Sequence, residues 1–358
     1  MGKERIEQND AAAQAADAGL RWVNDSAPGW HYTAGRAVQD AAGKRVRDAG
    51  QLQRVSALAI PPAWTDVWIC PDAHGHIQAT GRDARGRKQY RYHAQWQAHR
   101  GSVKFDQLLA FAQALPRLRR RVQRVLDDAA RARTPPGRDA VIATLVRLLD
   151  ATQLRIGNDT YARSNRSYGL STLRNRHARL QGGKLVLSFI GKGGIPQQGT
   201  LSDRRVARIV RRCMDLPGQE LFQYVGEDGQ PHAITSTDVN AWLAEATGPG
   251  ITAKVFRTWH GSVCALERLL QACRAGAERC GVQDVLKATA RRLGNTPAVC
   301  RKSYIHPDVL ALVGRLGDEA GRTQLAAERW ASSPARRAGL SAAEQRLQAL
   351  LRRAGRPR

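Results

Sequence analysis

The sequence changes character once, near Gly101, and that change limits the fold more than any other feature. From Gly19 to about Tyr92 it is rich in Gly, Pro and Trp, with short extended patterns such as Ala63–Ile69 and turn signals at Pro61-Pro62, Pro71-Asp72 and Gly81. Such a stretch predicts a small, mostly β domain with few helices. From about Val103, long Ala/Leu/Arg stretches place apolar residues at helical spacing, first in Phe105–Ala130 and then in Ala140–Leu154. Inside this helical half lies one β-like interruption, Ala178–Leu180 and Lys184–Ile190, with a turn at Gln181–Gly183 and a Gly-rich exit at Gly191–Gly194. The economical form is a short β-hairpin projecting from helices. Helices resume at Ser202, read as an N-cap, then over Thr237–Ala246, Ser262–Ala275 and Gln283–Leu293, which Gly294 ends. After Gly317 the chain is Ala- and Arg-rich. Its final helix, Ser341–Arg353, carries Leu347, Leu350 and Leu351 and a basic end, and either packs on the core or lies along whatever partner the chain binds.

The expected fold class is therefore α+β. A β-rich domain spans 1–100, a mainly helical domain with an inserted hairpin spans 101–320, and a basic helical extension spans 321–358. A chain of 358 residues is long enough for two cores.

Charge narrows the partner. The formal net charge is +26, from 57 Lys and Arg against 31 Asp and Glu, and it is spread along the whole chain. A surface this positive favours a polyanion, and nucleic acid rewards each neutralised phosphate with released counterions. A membrane surface is disfavoured, because no stretch approaches the roughly 20 apolar residues needed to span a bilayer. Met1–Ala18 is polar and carries Glu4, Glu7, Asp10 and Asp17, unlike a secretory leader, so a cytoplasmic location is expected. Cys70, Cys213, Cys264, Cys273, Cys280 and Cys300 form no C-x-x-C pair, which predicts buried free thiols and neither disulfides nor a zinc ribbon. His74-Gly75-His76 lacks acidic or Cys partners and reads as a turn, so no metal is expected. Gly191-Lys192-Gly193-Gly194 lacks the earlier Gly and the following Ser or Thr of a P-loop, so no nucleotide site is inferred.

Four residues stand in order in the helical half: Arg155, Lys192, Arg257 and Tyr304. Each alone is an ordinary surface charge or aromatic. Together they match what cleavage of a phosphodiester by a side-chain nucleophile requires. Attack on phosphorus builds charge on two non-bridging oxygens, which two guanidiniums can hold by charge-assisted hydrogen bonds that tighten in the transition state. The sugar oxygen is a poor leaving group unless protonated, and a lysine whose pKa is lowered by neighbouring cations can do this. A tyrosine supplies an oxygen with an intrinsic pKa of about 10, lowered further in a cationic field.

These segments resemble the type IB DNA topoisomerases, in the compact form found in poxviruses and many bacteria, over about Trp22 to Tyr304. Arg155 stands in Leu154-Arg155-Ile156-Gly157, like the family's I/L-R-x-G motif. Lys192 follows a Gly at the end of the hairpin, Arg257-Thr258 matches the second Arg, and Asn295-Thr296-Pro297 precedes Tyr304 where poxvirus members have His-Thr-Pro. Asn295 can hydrogen-bond a phosphoryl oxygen but cannot carry charge, so its implied role is transition-state hydrogen bonding; the competing role is a helix C-cap beside Gly294. Lys254 matches a basic residue three positions before the second Arg, and phosphate contact without catalysis is the alternative. Arg87-Lys88-Gln89-Tyr90-Arg91-Tyr92 looks like the family's K-Q-Y-x-Y segment, which touches DNA. Alternation puts Tyr90 and Tyr92 on one face, either toward DNA or in a core. Asn158 and Tyr161 fall where poxvirus members contact bases, although Asn158 replaces a Lys.

The resemblance implies a monomer that binds double-stranded DNA in a clamp, on a catalytic domain like that of tyrosine recombinases. It implies relaxation of positive and negative supercoils through a 3′-phosphotyrosyl intermediate, with no ATP, nucleotide, metal or membrane. The nearest rival is a tyrosine recombinase, which typically shows H-x-x-R where this chain has Lys254-Val255-Phe256-Arg257. A basic DNA-packaging protein would share the charge but make no use of Tyr304.

Overall fold

The computed structural model describes residues 12–274, 281–315, 319–328, 331 and 338–354. The chain divides into two compact units, Met1–Val103 and Lys104–Arg358.

The first unit is built on antiparallel strands. A two-stranded ribbon pairs β1 (His31–Tyr32) with β2 (Val38–Gln39). Helix α1 (Ala49–Ala57) comes next, its first turn capped by the Asp48 carboxylate, which accepts from Gln51 N at 2.7 Å. A three-stranded sheet then runs in the order β3 (Thr65–Ile69), β4 (Ile77–Arg82), β5 (Lys88–Tyr92). Val38, Val55, Ile60, Ile69 and Ala79 form its small core, with Trp30, Tyr32 and Trp64 packed around them. Gly81, expected at a turn, lies instead inside β4 and pairs with Gln89; the turn is at Asp83–Gly86, where Gly86 N donates to Asp83 O. His74 does sit in a turn. His76 is buried, stacked on Trp22 with ring centroids 3.9 Å apart, and its Nδ1 accepts from Val23 N.

Helix α2 (Ala94–Arg131) begins about nine residues before the expected helical region, so Gly101 lies within a helix. The second unit continues with α3 (Arg138–Thr152) and α4 (Asp159–Asn165). Helix α3 is apolar on nearly every side, and Ala140–Val146, Leu148 and Leu149 are all buried, so it forms the centre of this unit's core. Next comes a three-stranded antiparallel sheet of β6 (Ala178–Gln181), β7 (Lys184–Ile190) and β8 (Pro196–Ser202). The expected hairpin is thus larger by one strand. Gly193 and Gly194 adopt positive φ and turn the chain from β7 into β8, which pairs along the whole length of β7. Ser202 ends β8, and Asp203 rather than Ser202 caps the following helix α5 (Arg204–Met214).

After a short ribbon of β9 (Gln223–Val225) and β10 (Pro231–Ala233) come α6 (Ser236–Thr247), α7 (Ala253–Arg274), α8 (Val282–Leu293), α9 (Pro297–Ser303), α10 (Pro307–Gly314), α11 (Glu319–Ala327) and α12 (Ala342–Ala354). Helix α7 starts nine residues earlier than expected, its first N–H group, at Ala253, bonded to Asn240 Oδ1 at 2.9 Å. Both α11 and α12 pack on α7, and Leu347, Leu350 and Leu351 are buried in the core. The final helix therefore lies on the protein. Among the described residues no helix is long and apolar enough to cross a membrane. Cys70, Cys213 and Cys300 are buried and Cys264 and Cys273 half-buried, with no disulfide among the described residues; Cys280 lies outside the described residues.

Candidate active site

Helix α3 ends at Gln153, a non-glycine residue in the left-handed region (φ 56°) whose N–H returns to Leu149 O. Its side-chain amide donates to Asp150 O and Ala151 O at 3.0 and 2.9 Å, satisfying carbonyls the helix end would otherwise orphan. This abrupt stop releases Arg155 into an irregular segment rather than onto the helix. Leu170 N donates to Arg155 O at 2.9 Å and Ser171 N to Ile156 O. Gly169 permits that contact: a Cβ there would stand 2.4 Å from Gly157 N and 2.8 Å from Arg155 O. The Arg155 guanidinium donates to Asn295 Oδ1.

Helix α7 brings the second arginine. Val255, Phe256, Trp259 and Val263 bury one stripe of it, and the periodicity turns Lys254, Arg257 and Gly261 to a common face. Arg257 is only 3 % exposed. Its Nη1 donates to Gln153 O and its Nη2 to Leu293 O at 2.7 Å, so the ends of α3 and α8 both hold one guanidinium. Burial, and then Arg155, lower the Arg257 pKa from its ordinary value.

Gly294 ends α8 in the left-handed region, and Asn295 N bonds back to Ala290 O. The cap role thus belongs to Gly294, which leaves the Asn295 side chain to meet Arg155. Thr296 then caps α9, with Pro297 in its first turn, and Tyr304 closes that helix. The Arg257 guanidinium lies 4.9 Å from the centre of the Tyr304 ring. Burial works to raise the Tyr304 phenol, but Arg257, Arg155 and Lys254, together with a hydrogen bond from Arg257, outweigh it and hold the phenol below its ordinary value. Burial pushes the adjacent Cys300 thiol up to about 11, so the other nucleophile at this place is silent near neutral pH.

Arg155, Arg257, Asn295 and Tyr304 thus meet, with Lys254 near enough to act on the phenol. Two donors are left over. Arg257 Nε and Asn295 Nδ2 are buried and have no hydrogen-bond partner among the described residues. Lys192 is exposed in the turn between β7 and β8, and among the described residues no hydrogen bond or ion pair joins it to these four. Gln197 on β8 packs against both Gly191 and Gly294, so the Lys192 turn and the Asn295 turn share a neighbour. The carbonyls of Gln153 and Leu293, and Gln197 itself, carry no motif signal; their roles come from backbone position.

Behind α7 lies a buried ionic network. Arg119 holds Asp150 with Nε and Nη2 at 2.8 and 2.9 Å, and Glu344 of α12 with Nη1 and Nη2 at 2.9 and 2.8 Å. Trp259 Nε1 donates to Glu344 and His260 meets Asp150 at 2.9 Å. The final helix is thereby tied to residues adjoining Gln153 and Arg257.

In the first unit, Tyr90 and Tyr92 stack 5.7 Å apart on one face of β5 and are 40 % and 37 % exposed, which takes them out of the core. Arg87 and Gln89 both bond Asp83, at 2.6 and 2.9 Å, and Lys88 meets Asp25 at 2.5 Å. Arg91, on the other face, donates to Ala59 O. Asn158 is exposed just before α4, and Tyr161 falls on α4, although its side chain lies outside the described residues. Among the described residues no three His, Cys, Asp or Glu gather where they could hold a metal.

Comparison with known proteins places residues 93–315 in the family described as the catalytic core of eukaryotic DNA topoisomerase I, and residues 37–83 in the N-terminal domain of bacterial DNA topoisomerase IB. A DNA topoisomerase 1B of Acanthamoeba polyphaga mimivirus is 32 % identical, over 71 % of this chain and 77 % of the relative. DNA topoisomerase 1 of rabbit fibroma virus is 22 % identical over 71 % and 78 %, and DNA topoisomerase 1B of vaccinia virus (strain Copenhagen) 20 % over 72 % and 80 %.

Proposed function

The chain belongs to the type IB DNA topoisomerases, and on that premise we propose that it relaxes positive and negative supercoils through a 3′-phosphotyrosyl bond to Tyr304. The two units close around duplex DNA as a clamp, with a tyrosine recombinase-like catalytic unit, and the protein works as a monomer in the cytoplasm. Arg87, Lys88, Gln89, Tyr90, Tyr92, Asn158, Tyr161 and Lys254 contact the DNA; the carboxylates now held by Arg87, Lys88 and Gln89 give way to phosphates.

Tyr304 attacks the phosphorus, and the phosphorus–O5′ bond breaks. Lys192, carried in by the β7–β8 turn, gives its proton to the leaving 5′ oxygen. Arg155, Arg257 and Asn295 hold the non-bridging oxygens. Strand rotation then releases torsion, and attack by the 5′-hydroxyl on the phosphotyrosyl ester restores the strand. The ester conserves the energy of the broken bond, so the cycle needs no ATP.

The observation that carries this reading is the pair of buried donors without partners, Arg257 Nε and Asn295 Nδ2, beside a tyrosine whose phenol the same cations hold below its ordinary value. Leaving a buried donor unsatisfied costs about 1–3 kcal/mol, a cost that a bound phosphoryl oxygen removes. The test is relaxation of supercoiled plasmid in EDTA without ATP, comparing native protein with Tyr304→Phe. Relaxation by the native protein alone, with a covalent adduct on the 3′ end, is expected. Equal activity of both would overturn the assignment of the nucleophile.

A further inference from the structure

One face of α7 does more than hold Arg257. At Gly261 the helix surface comes so close to the Tyr304 segment that a Cβ would stand 2.4 Å from Tyr304 O, 3.1 Å from Leu293 Cδ1 and 3.2 Å from Tyr304 Cβ. The next residue, Ser262, is fully buried; its Oγ donates to Tyr304 O at 3.4 Å and accepts from His306 N at 2.9 Å. The main chain around Tyr304 therefore rests directly on the backbone of α7 at 261, one turn beyond Arg257.

We propose that Gly261 is a positioning residue for the nucleophile: its missing side chain sets how far the Tyr304 phenol reaches into the space between Arg155 and Arg257. The proposal rests on Tyr304 being the nucleophile. The obstruction is a backbone carbonyl, which cannot swing aside as a side-chain tip can. Real Cβ atoms do not approach closer than 3.0 Å, so Gly261→Ala obliges Tyr304 O to retreat by at least 0.6 Å, the difference from 2.4 Å. Reacting groups misplaced by about 1 Å lose roughly 100-fold in rate.

The experiment measures single-turnover cleavage at saturating duplex DNA for native protein, Gly261→Ala, Ser262→Ala and Tyr304→Phe, together with DNA affinity. Substrates carry either oxygen or sulphur at the bridging 5′ position. Gly261→Ala is expected to cleave about 30- to 100-fold more slowly with affinity within about twofold of native, as a placement defect of this size implies. Sulphur should not restore it, because the leaving group is not what is impaired. The rising limb of its rate with pH should move upward as the phenol leaves Arg257. Ser262→Ala, which creates space instead of a clash, should give a smaller fall with the same signature and serves where Gly261→Ala does not fold. Cleavage within about threefold of native for both variants, rescue by sulphur, or a parallel loss of affinity would overturn the proposal. An active Tyr304→Phe would instead sink the nucleophile assignment, which separates the two failures.

Discussion

Replacing Arg257 by Lys isolates the part of this site that charge alone does not supply. The guanidinium spends Nη1 and Nη2 on the carbonyls of Gln153 and Leu293, also hydrogen-bonds the Tyr304 phenol, and keeps Nε buried without a partner; in the proposed mechanism that donor meets the phosphate. A lysine retains the positive charge beside Tyr304 but is a point donor on a flexible stem; it cannot bridge two carbonyls and still present a donor in a fixed direction. Removing one preorganised donor to developing oxyanion charge costs about 2.7–4 kcal/mol, or roughly 10²–10³ in rate. Arg257→Lys should therefore slow single-turnover cleavage by that factor. Because a cation remains beside the phenol, the pH at which the rate rises should move little. Affinity for intact duplex should fall far less than the rate, since the lost interaction is made in the transition state. The assay is rapid-quench cleavage of a duplex whose released strand is too short to religate, run at saturating protein across pH. A rate within about fivefold of native, or a loss of affinity that accounts for the whole effect, would refute the idea that direction, not charge, is what Arg257 contributes.

The same geometry sets other expectations. Lys192→Ala should cleave an ordinary strand very slowly yet cleave almost normally a strand with sulphur at the bridging 5′ position; equal impairment of both would remove Lys192 as the general acid. Lys254→Ala removes one cation that holds the Tyr304 phenol below its ordinary value, so the rising limb of cleavage with pH should shift upward, and an unmoved limb would show that Lys254 acts only on DNA. Glu344→Gln weakens the buried bond to Arg119 and, because Asp150 still pairs that guanidinium, should cost about 1–3 kcal/mol of stability in denaturant melts near neutral pH. Despite opposing burial, Arg119 lowers the Glu344 pKa, and His260 and Arg119 lower that of Asp150. Their stabilisation is thus present above the unfolded values and lost as pH falls through the folded ones, so Glu344→Gln should flatten the acid limb of stability; an unchanged limb would count against the network. DNA affinity should fall steeply between low and physiological salt if phosphates dominate, and a flat response would indicate apolar or base contacts.

Legibility in the sequence divides along physical lines. Arg155, Arg257, Asn295 and Tyr304 are readable from residue type because phosphoryl chemistry restricts which side chains can serve it, and the structure brings these four together. The third strand of the inserted sheet is not readable in this way, because Gly191–Gly194 marks a turn without fixing the conformation of the chain beyond it. Pro196–Ser202, polar on one face, carries little apolar alternation, and its pairing with β7 is a tertiary fact. The early starts of α2 and α7 are hidden for a related reason. The start of α2, after His93, has no usual cap residue, and α7, although Thr252 precedes it, also has its first N–H held by Asn240, thirteen residues upstream, which no local window would include. The same holds for the groups that orient the site. Gln153 and Leu293 act through carbonyls, and Gly169 through the side chain it lacks, so residue type gives no cue. The final helix shows the converse: Leu347, Leu350 and Leu351 signal an apolar face, but only Glu344 meeting Arg119 and Trp259 decides that this face belongs to the core. Detaching α12 would carry Glu344 into water, but it would also expose Leu347, Leu350 and Leu351 and take from Arg119 one of its two carboxylates, so the helix is held to the core by apolar burial and ion pairing together.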